Sequence, residues 1–124
     1  MAQDAGERQA ARQATDELAA VYSLSEAQVS QMLVIQERRF RNLAEIEPLK
    51  DSDPTLYRIK LRNIRFGTDA SIERMLNPEQ RPILDRQRAE RRRQEAARLR
   101  ELQQQGASKE EITEAILDME YSGH

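Results

Sequence analysis

Val29, Met32, Leu33, Phe40, Leu43 and Ile46 recur with the 3.6-residue period of an α-helix, interrupted by Gln36. A second stripe runs through Tyr57, Leu61, Ile64, Ile72 and Met75, and Leu56, Ile59 and Phe66 widen it. It keeps its phase from Ile64 to Ile72, across Gly67. One continuous but bent helix is therefore expected, although a helical Gly lowers stability by ~1 kcal/mol relative to Ala. Between the stripes, Pro48 disrupts the first helix near its end and Lys50-Asp51-Ser52-Asp53-Pro54 forms a turn. Asp53 is placed to cap the next helix, with Pro54 at its first position.

The flanks are poorer in large apolar groups. Residues 2–22 favour helix by composition, but only Leu18, Val21 and Tyr22 are large and apolar. Residues 1–17 are expected to be a flexible or partly helical segment ahead of a single helical domain at 18–124. Ile83 and Leu84 anchor a later helix, with Pro82 as a kink in its first turns. From Asp85 to Glu111 only Leu99 and Leu102 are large and apolar, which predicts a solvated helix with pairs such as Glu90–Arg93 and Glu95–Arg98. Gly106 stops that helix. Ser108 and Glu111 form a capping box for a short amphipathic helix bearing Ile112, Ile116, Leu117 and Met119, and Tyr121–His124 is expected to fray.

Two helix starts share one grammar. Leu24-Ser25-Glu26-Ala27-Gln28 and Leu76-Asn77-Pro78-Glu79-Gln80 each read Leu, a capping residue, two positions, then Gln. Ser25 or Asn77 can accept a hydrogen bond from the backbone three residues on, and Gln28 or Gln80 can reach back to the cap. Leu24 and Val29 are placed as a hydrophobic staple, and Pro78 suits the first helical position. The two boxes stand 52 residues apart.

Charged residues make up 34% of the chain and hydrophobic ones 38%, many of them Ala, with no Trp. That is the composition of long helices rather than of a deep-cored globule. The fold class is all-α: a long antiparallel helical hairpin with further long and short helices, elongated, burying its apolar stripes in the hairpin or across a dimer. The net charge of -2 hides an uneven distribution, with acids dominating both ends and eight Arg against three acids in residues 81–100. A pI near 5.6 argues against a dedicated nucleic-acid binder. The Arg81–Arg100 run reads first as a solvated face, next as a dimer or partner contact, and last as a nucleic-acid surface, because no aromatics interleave it. No apolar run approaches the ~20 residues of a membrane span.

The paired boxes resemble the LTxxQ signature of the Spy/CpxP-like family of small helical proteins of the bacterial envelope. The likeness covers roughly residues 21–91 and departs at the second box position, which is Ser25 and Asn77 rather than Thr. Leu24, Ser25, Gln28, Leu76, Asn77, Pro78 and Gln80 carry it. The resemblance implies an antiparallel homodimer in the periplasm, with a signal peptide removed and Met1 standing as an added start.

Catalytic chemistry finds little support. There is no Cys, the single His is the last residue, and no Gly-rich phosphate loop occurs. Glu110, Glu111 and Glu114 read as a solvated acidic edge. No cofactor is expected, and no metal, since one terminal imidazole cannot build a site. The stronger constellation is Arg38, Arg39, Phe40 and Arg41 with Arg58, Arg62, Arg65 and Phe66. Antiparallel pairing about the Asp51–Pro54 turn brings residue 40 near residues 64–66, so that these side chains share a neighbourhood. Such a surface would hold a partly unfolded polypeptide, first by charge and then by apolar contact. The competing reading makes Phe40 and Phe66 core residues and the arginines partners of local acids.

The expected function is that of a non-enzymatic, ATP-independent periplasmic chaperone or envelope-stress adaptor. It would bind unfolded or partner polypeptides reversibly. The alternative is a regulatory subunit that binds and damps the outer domain of a membrane signalling protein. A cytosolic Arg-rich nucleic-acid adaptor is a third reading.

Overall fold

The computed structural model describes residues 5–122, with side chains described through Met119. The expectations for residues 1–4 and for Gly123 and His124 lie outside that range. Among the described residues every element is a helix: α1 Ala5–Tyr22, α2 Glu26–Ile46, α3 Leu49–Ser52, α4 Pro54–Met75, α5 Arg81–Gln104 and α6 Lys109–Ser122. Two compact units divide the chain, the first extending to Pro82 and the second beginning at Ile83.

In the first unit α1 packs on α2 and α2 on α4. The amino-terminal segment is helical from Ala5, and small residues let it dock: Ala11, Ala14 and Thr15 are buried, with Tyr22 at its end. Thr15 returns its hydroxyl to the Ala11 carbonyl at 2.7 Å, so its burial leaves no donor unmade. α1 ends in a Schellman turn. Ser23 takes the left-handed conformation (φ 53), and the Leu24 N–H donates to the Ala19 carbonyl at 3.0 Å.

Of the stripe expected on α2, Met32 and Ile46 are buried and Val29, Leu33, Phe40 and Leu43 half-buried, and Ile35, outside that stripe, is buried as well. Gln36 does not interrupt this face; at 1% exposure it is among the deepest side chains, donating to Met32 Sδ at 3.5 Å and accepting from Arg39 Nη1 at 3.0 Å. α2 stops ahead of Pro48 and α3 adds a single turn before α4. Asp53 caps α4 by accepting from the Leu56 N–H at 3.2 Å, and Pro54 opens it. α4 runs unbroken through Gly67, as its periodicity predicts. Its inner face is Leu61, Thr68 and Ile72. Ile59 and Phe66, expected to widen that face, are instead 53% and 58% exposed. They stand seven residues apart with Arg62 between them at i+3, on the side of the helix away from Leu61, Thr68 and Ile72.

In the second unit Leu84, Leu102 and Leu117 are buried. Pro82 falls in the first turn of α5, where a missing N–H is tolerated. The exposed surface of α5 carries a Glu90–Arg93 pair, and Arg98 bonds Glu101 at 2.8 Å rather than the expected Glu95. α5 ends in a second Schellman turn on Gly106 (φ 77), with the Ala107 N–H on the Leu102 carbonyl at 3.0 Å. Ser108 and Glu111 then cap α6 reciprocally, at 3.0 and 3.1 Å.

Candidate functional site: interlocked boxes and basic helix faces

Both boxes close as capping boxes. The Ser25 hydroxyl accepts from the Gln28 N–H at 3.2 Å while Gln28 Oε1 accepts from the Ser25 N–H at 3.0 Å. Asn77 Oδ1 accepts from the Gln80 N–H at 3.0 Å while Gln80 Oε1 accepts from the Asn77 N–H at 3.0 Å. In the second box residues 78–80 form a turn that leads into α5 at Arg81.

The boxes also hold each other. Gln28 Nε2 donates to Gln80 Oε1 at 2.7 Å, and Gln80 Nε2 donates to Gln28 Oε1 at 3.0 Å. The remaining amide protons go to backbone carbonyls of the other half. Gln28 reaches Met75 at 3.3 Å, and Gln80 reaches Tyr22 at 3.1 Å and Ser23 at 3.4 Å. Met75 and Ser23 each precede the Leu of a box, so the arrangement has approximate two-fold symmetry. Each amide uses two donors and two acceptors, its full ordinary capacity. Gln80 is buried and Leu76 beside it is 2% exposed. This clasp ties the α1–α2 turn to the end of α4. A glutamate could make the cap but not the clasp, since a carboxylate has no proton to offer the facing carbonyls.

α2 and α4 run antiparallel, since Gln28 bonds Met75 while Arg38, ten residues later, bonds Ser71. That register is the expected one, with residues 38–42 beside residues 63–71, and it is helical phase that divides the expected cluster. α3 packs on α4 in the connection between α2 and α4. Arg38 donates to Ser71 Oγ at 2.6 Å on the side of α4 that meets α2, whereas Arg62 and Phe66 stand on its exposed side. Arg39 is no surface residue: it is 7% exposed, held by Gln36 Oε1, with its guanidinium 4.8 Å from the centre of the Phe40 ring. Phe40 is half-buried, and so are Arg58 and Arg65. Arg41 and Arg62 are exposed, as is Phe66.

Two distinct surfaces result. One is the outward face of α4, Ile59–Arg62–Phe66. The other is a cleft of about 360 Å³ between α2 and α4, lined by Arg38, Asn42, Asn63, Thr68, Ser71 and Arg74 with Ile64 and Gly67. The two lie on neighbouring sides of α4, because residues 67, 71 and 74 centre about 100° round the helix from residues 59, 62 and 66. The clasp, the cleft and the buried Gln36–Arg39 pair escape sequence reasoning. A single signal was available for the clasp, the same residue type at the same position of both boxes.

The interlocked capping boxes belong to an all-helical chain whose α4 turns Ile59, Arg62 and Phe66 outward. No protein-family model, curated protein or solved structure matches the chain. Among the described residues there is no cluster of acidic, His or Cys side chains able to hold a metal, and no helix is long and apolar enough to cross a membrane.

Proposed function

We propose that this protein is a non-enzymatic polypeptide-binding module, an ATP-independent chaperone or adaptor that works as a homodimer in the periplasm. The observation that carries the reading is the outward face of α4. Ile59 and Phe66 are more than half exposed beside exposed Arg62, on a helix whose opposite face already supplies its packing. Large apolar side chains grouped with a cation suit a partly unfolded segment, which is attracted by charge and held by apolar burial. The interlocked boxes support the reading through their likeness to the LTxxQ signature, and the clasp keeps α4 in place without using its outward face.

The test is suppression of aggregation of a reduced model protein, without ATP, by the wild type and by Arg62→Glu and Phe66→Ser. Both positions are exposed, so thermal stability should hold while protection falls. Burying the exposed part of a Phe is worth about 1–1.5 kcal/mol, so Phe66→Ser should weaken client binding roughly five- to tenfold. Full protection by both variants would refute the assignment.

A further inference from the structure

The cleft between α2 and α4 holds two arginines with no acid to answer them. Arg38 Nη2 and Arg74 Nη2 lie 2.6 Å and 3.4 Å from one oxygen, Ser71 Oγ, while the Ser71 proton goes to the Gly67 carbonyl at 3.0 Å. None of the lining residues is acidic, and neither arginine makes an ion pair among the described residues. Each guanidinium has five N–H donors and gives one nitrogen to Ser71, so the remaining donors are left to the cleft. Asn42 and Asn63 bring further amide donors to the same wall.

Two like charges gathered on a neutral hydroxyl repel each other until an anion joins them. A single carboxylate would be satisfied by one guanidinium fork. Two forks from two helices match a group with two negative charges on a compact set of oxygens. We infer that this cleft binds a phosphate dianion, either inorganic or as the monoester end of a larger molecule. The cleft is larger than the anion alone, so the attached group of a monoester has room. The site is separate from the Phe66 face and does not depend on the function proposed for it.

The experiment is an NMR titration of the full chain with inorganic phosphate, against acetate and chloride at equal ionic strength. Saturable one-to-one shifts at Gly67, Ser71 and the Arg38 and Arg74 side chains are expected for phosphate, with far weaker responses to acetate. Arg74→Gln should raise the Kd about tenfold, the loss of a charge-assisted contact. Because Arg74 is exposed and its bond to Ser71 is long, that variant keeps its fold. Arg38→Gln is the companion, with its melting curve measured alongside. Glycerol phosphate in solution and vesicles containing phosphatidic acid separate the two sources of the same headgroup. Binding to either that Arg74→Gln weakens supports the site. An unsaturable response common to all three anions, tighter binding of acetate, or a phosphate Kd that Arg74→Gln leaves unchanged would overturn it.

Discussion

Gln80→Glu separates a cap from a clasp. Glu and Gln serve equally well at the last position of a capping box, and a negative charge at a helix start is mildly favourable. If residue 80 only capped α5, the variant would match the wild type to within ~0.5 kcal/mol. The clasp predicts otherwise. Gln80 Nε2 donates to Gln28 Oε1 at 3.0 Å and to the Tyr22 carbonyl at 3.1 Å, and a carboxylate makes neither bond. Two lost hydrogen bonds amount to about 1–3 kcal/mol. A carboxylate facing carbonyl oxygens at 7% exposure adds desolvation and repulsion, bringing the expected loss to about 3–5 kcal/mol at neutral pH. The assay is urea unfolding followed by far-ultraviolet circular dichroism at pH 7 and pH 4. Protonation of the introduced carboxyl restores a donor, so the folded-state pKa of that carboxyl lies above its unfolded-state value. The variant is then least impaired below the ordinary carboxylate range and loses stability as pH rises toward the raised value. A double-mutant cycle of Gln28→Leu and Gln80→Leu should show a coupling of about 1–3 kcal/mol. A Gln80→Glu variant as stable as the wild type at pH 7, or a cycle with no coupling, would refute the reasoning.

The glycines supply a paired test of backbone conformation. Added Cβ atoms meet nothing within 4 Å at Gly67 or Gly106, so only the backbone decides. Gly67→Ala, inside α4, should stabilise by about 0.5–1 kcal/mol, and Gly106→Ala, at φ +77, should destabilise by about 1 kcal/mol; equilibrium unfolding measures both. Acidification should release the cap of α6. The Ser108 backbone N–H, then its hydroxyl, hold the Glu111 carboxyl below its ordinary value, so this contribution is present above the unfolded-state pKa and is lost as pH falls through the lowered folded-state one. The Ser108 amide shift should titrate with a midpoint below that of an ordinary Glu. Glu111→Gln, which retains the box, should abolish that titration.

What was legible in the sequence was local. The caps at Ser25, Asp53, Asn77 and Ser108, the stop at Gly106 and the unbroken helix across Gly67 follow from interactions within four or five residues, and each forms as the residue types dictate. Long-range geometry was legible only where residue type constrains it tightly. Gln36 looked like a break in an apolar stripe because the amide was weighed alone; inside, it is satisfied by Met32 and Arg39 and becomes part of the packing. Phe66 and Ile59 looked like extra core because a helix with apolar residues on most of its circumference does not declare which side has a partner. That was settled by which side of α4 meets α2: Arg38 bonds Ser71, while Arg62 and Phe66 stand on the exposed side. The hairpin register follows from the turn between the helices, but the choice of packed side does not follow from periodicity within α4. The clasp is the exception that locates the limit. Serving as a cap leaves Gln and Glu interchangeable, and only a partner with carbonyl oxygens to satisfy makes the amide necessary. Finding Gln at the same position in both boxes was thus the one sequence feature that bore on the clasp.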